Sequence, residues 1–306
     1  METKLKIKKS KSRIADEIIK CVIGIILLVY ALSLLIPIYW MLVNSFKGVI
    51  QYYQEGPFAF PDSFNFDNYK FILKNMNFTT TSKDGSGTVI FTLPWMFYYS
   101  FIWAFFNTAF CLLIQVMCAY VIAKYRFPGR NFLYSLGIVI MILPIIGSSG
   151  AVMLLRKQLG IYNNMTLMIL TAPAIAFSGL NFMMLHAAVK SVPWDYAEAV
   201  LIDGGGHLRV FFTIMLPMVM PTVCVLMLLG FIGAWNDYSS FMFWMPSYVN
   251  VAMGVYRFQY LSRLQLGAEM PQILASFTVV SVPVVILYVA FQKVITANFM
   301  VGGLKG

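Results

Sequence analysis

The side chains that most often bind metals or act as nucleophiles are few in this chain of 306 residues. His186 and His207 lie far apart in the sequence, and no two cysteines have the CxxC spacing of a zinc or redox site. The four cysteines all lie in apolar stretches, at Cys21, Cys111, Cys118 and Cys224. The sequence therefore predicts neither a metal site nor a catalytic centre.

The sequence also gives little support for binding of nucleotides or nucleic acids. The chain lacks the pattern GxxxxGK[ST], the glycine-rich loop whose backbone amides hold nucleotide phosphates. Its formal charge of +10 could suit nucleic acid, but most of the basic residues flank long apolar stretches. We therefore predict that the chain binds neither a cofactor of its own nor nucleic acid.

The segment 190–213 has the most informative residue spacing. Pro193 suits the first position of a helix, and Asp195 and Glu198 lie three residues apart, as in a capping box. Carboxylates at this position also interact favourably with the positive end of the helix dipole. The glycine run 204–206 should end the helix, since glycine accepts the left-handed conformation of a C-cap. The segment predicts a short helix, a sharp turn and a second helix.

One face of this short helix is apolar. Ala197, Val200 and Leu201 follow the i, i+3, i+4 spacing of a single helical face. A short amphipathic helix needs an apolar surface against which to bury that face. The two candidates are the membrane surface and a partner protein.

The rest of the chain has the composition of a membrane protein. Hydrophobic residues make up 60% and charged residues 11%, with a mean hydropathy of +0.77. Soluble domains carry about 25% charged residues. Six stretches contain no Asp, Glu, Lys or Arg: 21–46, 85–123, 131–155, 158–189, 210–236 and 270–292.

Each of these stretches is long enough to cross a bilayer, which takes about 20 residues of helix. A charge at the bilayer centre costs at least about 2.5–3.5 kcal/mol, which explains why the charges lie between the stretches. The predicted class is an all-α integral membrane protein with six transmembrane helices, at about 18–42, 96–123, 132–155, 165–187, 214–241 and 272–293.

Lys and Arg residues predict the orientation of these helices. They concentrate in the N-terminal segment and in two short loops on the same side, so both termini are predicted to be cytoplasmic. The predicted regions are a basic cytoplasmic N-terminus (1–17), a six-helix domain (18–306), and within it an extracellular loop (47–95), a cytoplasmic loop (190–213) and a cytoplasmic tail (294–306).

The cytoplasmic loop resembles a known sequence signature. The pattern EAA-x-x-DG followed by I-x-LP marks permease subunits of bacterial ABC importers, and the matching residues here are Glu198-Ala199-Val200, Asp203-Gly204, Ile214 and Leu216-Pro217. Two positions depart from it: Val200 stands where the pattern has alanine, and Gly205 stands where alanine is usual.

The resemblance extends along most of the chain. It includes the segments Pro37–Lys47, Tyr120–Arg130, Trp235–Tyr238 and Gly302–Gly306. In this order they are similar to the carbohydrate-uptake branch of the family, in the second permease position of maltose-type systems. The fold implied is that of a type I ABC importer permease, with a cytoplasmic coupling helix between helices four and five.

The resemblance implies a role for the loop rather than a catalytic site. The coupling helix would lie in a groove of a separate ATPase subunit, which binds ATP and Mg, and would pass its closure to the transmembrane pathway. The residues implied are Glu198, Ala199, Asp203, Gly204, Ile214 and Pro217, with a further contact from the tail residues Lys305 and Gly306.

The same resemblance implies several partners in a bacterial plasma membrane. These are a second, paralogous permease, a dimer of ATP-binding subunits, an extracellular sugar-binding lipoprotein and membrane lipid. The imported substrate would be an oligosaccharide. Candidate pathway residues are polar or aromatic groups within or at the ends of predicted spans: Asn107, Gln115, Tyr120, Asn181, Trp235 and Asn236.

The alternative is an ion-coupled secondary transporter of sugars. Such a protein is expected to carry acidic or basic relays inside the membrane. Asp237, close to the outer end of the fifth span, is the one acidic residue near a span interior. The sequence therefore favours the ATP-driven importer.

Overall fold

The computed structural model describes residues 2–302 except for positions 84, 144–146, 148, 173–174 and 266. Within those limits, side chains are described for residues 16–260 and 267–293.

The described chain is built almost entirely of helices. In chain order they are α1 (Glu2–Ser45), α2 (Val49–Glu55), α3 (Asp67–Asn75), α4 (Leu93–Ile102), α5 (Thr108–Lys124), α6 (Arg130–Ile142), α7 (Ser149–Gln158), α8 (Met165–Leu170), α9 (Gly179–Ser191), α10 (Asp195–Ile202), α11 (His207–Val210), α12 (Leu216–Trp235), α13 (Tyr238–Trp244), α14 (Val251–Gln265) and α15 (Met270–Gly302). Two π-helical turns, Trp103–Asn107 and Phe211–Met215, join α4 to α5 and α11 to α12.

One short hairpin departs from the all-α expectation. Strands β1 (Phe78–Thr81) and β2 (Thr88–Phe91) pair antiparallel, with Phe78 opposite Phe91. Threonine, valine and isoleucine in these strands favour extended backbone because their branched side chains restrict χ1. The charge-free stretch that begins at residue 85 therefore starts with a strand, and its helix begins only at α4.

Among the described residues, four continuous helical segments are long and apolar enough to span a membrane. They are Asp16–Ser45, Leu93–Lys124, His207–Trp235 and Met270–Lys293. These correspond to the first, second, fifth and sixth predicted spans. The fifth helix begins earlier and ends earlier than the predicted 214–241.

The third and fourth predicted spans are divided. Instead of one helix over 132–155 the structure has α6 and α7, and instead of one over 165–187 it has α8 and α9. The sequence has Pro144 just after α6 and Pro173 between α8 and α9. Proline disfavours helical backbone at the preceding residue and cannot donate the helical hydrogen bond, so an uninterrupted helix is costly at both places.

The chain divides into two compact units. The first comprises Met1–Asn75 and Arg263–Val279, and the second comprises Met76–Ser262 and Val280–Gly306. In the first unit, Lys47 is fully buried and its Nζ donates to the Gly56 carbonyl at 3.1 Å. The Asn68 amide donates to the carbonyls of Ser45 and Lys47 at 2.9 and 2.8 Å. These bonds fix the chain where it leaves α1.

The main core of the second unit lies where α5, α9, α10 and the start of α12 meet. Ala119 of α5 and Leu185 and Val189 of α9 are fully buried there, together with Met215 of the second π-helical turn. Small residues allow close approach of helices, as in membrane helix packing generally. A Cβ on Gly230 of α12 would lie 2.5 Å from a methyl group of Thr108, so the missing side chain permits the contact of α12 with α5.

Candidate functional site

The predicted cytoplasmic helix is present as α10, and it begins after Trp194. The amides of Ala197 and Glu198 donate to the Trp194 carbonyl at 2.8 and 3.1 Å. No side chain caps this end of the helix, so the predicted capping box between Asp195 and Glu198 does not form. The carboxylate of Glu198 is instead exposed at the surface of the loop.

The apolar face predicted for this helix packs on the chain's own core. Ala197 is fully buried, and Val200 and Leu201 are half-buried against the cluster that contains α5 and α9. This face is therefore not the surface that a partner protein would contact.

A second apolar face of α10 points away from the core. Tyr196, Ala199 and Ile202 are all exposed, Ile202 by 85%. Residues at i, i+3 and i+6 lie along one side of a helix, so these three form a continuous strip. Leu208 of α11 is also 68% exposed. We call Tyr196, Ala199 and Ile202 the exposed strip.

The turn after α10 has the geometry predicted from its glycines. Gly204 has φ +80°, in the left-handed region where glycine is favoured. The Gly205 amide donates to the Val200 carbonyl at 2.8 Å. A Cβ on Gly205 would lie 2.6 Å from Val200 Cγ1 and 2.8 Å from its carbonyl oxygen. Glycine at position 205 therefore allows the turn to close tightly on α10.

The remaining signature residues belong to the junction between the loop and α12. Ile214 is half-buried in the second π-helical turn, and Pro217 is exposed in the first turn of α12. Proline lacks the amide proton of a helical hydrogen bond and is tolerated best in a helix's first turn. Lys305 and Gly306, the predicted tail contact, lie outside the described residues.

A cavity of about 310 Å³ lies within the membrane-spanning part of the second unit. Its lining is Asn107, Thr108, Cys111, Leu112, Asn181, Gly230, Gly233, Ala234 and Asp237. Two of the predicted pathway residues, Asn107 and Asn181, are thus brought together by helices that are distant in the sequence. Thr108, in the middle of the predicted span 96–123, was not among the candidates, and Asp237, near the outer end of the fifth predicted span, was considered only for the ion-coupled alternative.

Two amide oxygens on the helical segment that lines one side of this cavity lack hydrogen-bond partners in the described structure, one from a lining residue and one from a residue that does not line it. They are Asn107 Oδ1 and Gln115 Oε1, and both are buried. Asn107, Cys111 and Gln115 follow each other at intervals of four, so they lie along one broad face of the helix. A buried acceptor without a partner costs about 1–3 kcal/mol. Such a face is suited to water or to a ligand rich in hydroxyl groups.

The other three pathway candidates do not line the cavity. The Tyr120 hydroxyl hydrogen-bonds with the Tyr125 hydroxyl at 2.8 Å, next to His207 of the loop 190–213. Trp235 Nε1 donates to the Val280 carbonyl at 3.3 Å, and the Asn236 amide donates to the Ile232 carbonyl at 2.9 Å. All three side chains thus have partners within the chain.

Metal chemistry finds no support in the described part of the chain. No three of its His, Cys, Asp and Glu side chains come close enough together to hold an ion.

Comparison with known proteins decides the family. Residues 115–301, more than half of the chain, match the model of a family described as "Binding-protein-dependent transport system inner membrane component". The chain belongs to this family. The match covers the loop 190–213, α12 and most of the last helix, and it makes this permease component a multi-pass membrane protein.

Curated relatives of this permease component are sugar transport proteins. A diacetylchitobiose uptake system permease protein of Streptomyces coelicolor is 28% identical over 286 residues, covering 90% of this chain and 86% of the relative. A galactooligosaccharides transport system permease protein of Bacillus subtilis is 29% identical over 206 residues, covering 66% of this chain and 70% of the relative.

A solved structure supports the fold. A chain from a bacterial ABC transporter involved in the import of the polysaccharide alginate matches with a TM-score of 0.74 and 21% identity. The match covers 91% of this chain and 97% of that one. The permease component therefore shares the fold of an ABC importer subunit along nearly its whole length.

Proposed function

We propose that this protein is a membrane-spanning permease subunit of an ATP-driven, binding-protein-dependent importer of oligosaccharides. The observation that carries the proposal is the exposed strip on α10, within a loop that fits the signature of importer permeases and lies in the matched family region. The sugar permeases among its relatives favour an oligosaccharide as substrate.

The exposed strip would be the contact with a separate ATPase subunit. Ile202 and Tyr196 present apolar area outward, and Glu198 adds an exposed carboxylate that would pair with basic or amide groups of the ATPase. Asp203 and Gly204 hold the turn that aims α10. Closure of the ATPase pair on ATP and Mg would move α10 as a rigid body and switch the pathway between inward-facing and outward-facing states.

Six spans with both termini in the cytoplasm remain part of this proposal. The divided pairs α6–α7 and α8–α9 would each serve as one crossing. Discontinuous helices are tolerated at membrane depth where protein or an aqueous cavity surrounds the break. The basic N-terminal segment supports the cytoplasmic placement of the N-terminus.

A paralogous permease would complete the membrane domain. None of the most apolar part of α1 is buried within the chain, and its side chains are exposed on every face. Lipid together with a second permease would cover this helix. The extracellular loop 47–95 and the segment 244–271 would form part of the docking surface for a sugar-binding lipoprotein.

The cavity at Asn107 and Asn181 would be part of the sugar pathway. Amide groups suit sugar hydroxyls because each amide offers both a donor and an acceptor. Gln115 extends the polar face toward the cytoplasm. Tyr120, Trp235 and Asn236 are retained as pathway candidates only for states of the transporter in which their present bonds are broken.

The ion-coupled alternative requires an acidic residue that is free to bind protons or Na⁺. Asp237 is the candidate, but its side chain accepts from the Ser240 amide at 3.0 Å and from the Ser239 hydroxyl at 2.8 Å. These bonds cap the N-terminus of α13. Capping of α13 therefore explains the presence of an acidic residue at position 237, and no role in ion transfer is needed.

The test is ATP hydrolysis by the tagged chain purified from its native membrane together with its co-purifying subunits. Candidate binding proteins loaded with chito-, galacto-, arabino- and malto-oligosaccharides are added in turn. Stimulation of hydrolysis by one loaded binding protein supports the proposal and identifies the sugar. If no ATPase co-purifies and sugar uptake follows an ion gradient, the proposal is wrong.

A further inference from the structure

Tyr125 lies between the two ends of the cytoplasmic loop, immediately after α5. Its ring is 5.8 Å from that of Trp194, which precedes α10, and 5.3 Å from that of His207, which begins α11. Both contacts are edge-on. A single side chain therefore touches the loop before and after the helix that carries the exposed strip.

The Tyr125 hydroxyl adds two hydrogen bonds to these ring contacts. It lies 2.8 Å from His207 Nδ1 and 2.8 Å from the Tyr120 hydroxyl. A tyrosine hydroxyl has one proton and two acceptor lone pairs, so it can take part in both bonds and donates in at most one of them. Tyr120 is itself buried in α5 against Phe211. The chain of bonds thus runs from His207 into the core of α5.

Lys124 provides a second attachment at the same end of α5. Its Nζ donates to the Lys190 carbonyl at 3.3 Å and to the Val192 carbonyl. These carbonyls lie at the end of α9, where the helix leaves its last acceptors without partners. Lys124 and Tyr125 together therefore hold the loop at 190–194 and at 207.

The opposite end of α5 reaches the transmembrane cavity. Thr108, Cys111 and Leu112 in its first turns all line that cavity. At a rise of 1.5 Å per residue, the 17 residues of α5 span about 25 Å. One straight helix thus connects the loop directly with the proposed sugar pathway.

We propose that Tyr125 is a positioning residue that joins the coupling loop to α5, so that movement of α10 displaces the helix lining the cavity. This inference rests on the proposed function, because it assigns a route for the movement that an ATPase subunit would impose on α10. Neither the loop signature nor the pattern of apolar residues identifies Tyr125, since its role depends on contacts with two distant segments.

The test compares Tyr125→Phe with Tyr134→Phe in the complex purified from its native membrane. Tyr125→Phe removes the hydroxyl but keeps the ring, so the fold should be retained. Tyr134 provides the matched control because its hydroxyl has no hydrogen bond in the described structure, although its ring contacts His186. Hydrogen exchange of the amides in 195–207 is measured by mass spectrometry, without nucleotide and with Mg-ATP and vanadate.

We expect Tyr125→Phe to raise exchange in 195–207 about fivefold, as the loss of one hydrogen bond of ordinary strength would. The nucleotide-dependent change in α5 should shrink, and sugar uptake per ATP hydrolysed should fall with it. A merely structural role would lower the yield of complex and leave uptake per ATP unchanged. The effect of the double variant Tyr125→Phe/His207→Ala should be smaller than the sum of the two single effects, since both variants remove the Tyr125–His207 bond.

The proposal is overturned if Tyr125→Phe matches Tyr134→Phe in exchange and in uptake per ATP. It is also overturned if the effects of Tyr125→Phe and His207→Ala simply add. Failure of the proposed function would look different, because the wild-type complex would then show no sugar-stimulated ATP hydrolysis. In that case the exchange measured without nucleotide still decides whether Tyr125 holds the loop.

Discussion

The outward side of α10 offers a direct measurement of how the permease binds its ATPase. Ile202 is 85% exposed at the end of the helix, whereas Leu201 beside it packs against the chain's own core. We predict that Ile202→Ala weakens binding of the ATPase subunit. Leu201→Ala is the control, because it should lower the thermal stability of the permease rather than its affinity for the partner.

The expected magnitude follows from the apolar area that Ile202 has available to bury. Each buried CH₂ contributes about 0.8 kcal/mol, so truncation to alanine removes about 2 kcal/mol of binding free energy. At 1.4 kcal/mol for each tenfold change, this corresponds to a roughly 30-fold rise in Kd. Ile202→Val removes a single carbon and should raise Kd only about fourfold.

The assay titrates purified ATPase subunit against the permease pair in lipid nanodiscs. Circular dichroism of each variant shows whether the helices are retained. The three proteins should rank wild type, Ile202→Val and Ile202→Ala in order of decreasing affinity. The assignment of the exposed strip as the ATPase contact would be refuted if these three proteins bound the ATPase with equal affinity while Leu201→Ala weakened binding.

Three further changes test the loop and the fold. Gly204→Ala should reduce transport because left-handed backbone costs alanine about 1–2 kcal/mol, whereas Gly206→Ala, at φ −84° with open space around it, should transport normally. Gly137→Ala should lower the melting temperature, since its Cβ would lie 2.1 Å from the Phe177 carbonyl oxygen. Burial lowers the pKa of Lys47, so the folded protein binds the proton less tightly than the unfolded chain. The free energy of unfolding should therefore rise with pH between the lowered pKa and the ordinary lysine value of 10.5, and Lys47→Met should remove that rise in thermal melts.

Uninterrupted apolar stretches made four of the helices predictable. A segment such as 21–46 has no charge and one proline, and α1 runs through it to Ser45. The third and fourth spans were drawn too long because absence of charge says nothing about backbone continuity. Pro144 and Pro173 fall at the two divisions in the sequence, but Pro37, Pro221 and Pro283 lie inside continuous helices, so a proline alone does not locate a break.

The turn of the coupling loop was predictable, but the orientation of α10 was not. Three consecutive glycines require a break in any helix, and Gly204 adopts the expected left-handed backbone. The helix has only eight residues and carries apolar side chains on two faces. The spacing of the apolar residues identifies both faces but does not indicate which one is buried in the core. The packing of Ala197 against α5 and α9 shows which of the two faces is buried within the chain, and hence which face is left exposed for a partner.

The two departures from the signature of importer permeases are linked by one contact. Val200 is larger than the alanine of the pattern, and Gly205 is smaller than the alanine usual there. A Cβ at position 205 would lie 2.6 Å from Val200 Cγ1, a distance that real side chains do not tolerate. That Cβ would also lie 2.8 Å from the Val200 carbonyl oxygen, so the closed turn excludes a side chain at position 205 whatever residue stands at 200, and the valine occupies space beside the glycine. Taken separately, each substitution looks like a weakening of the motif; together they preserve the turn and the packing of α10 on its core.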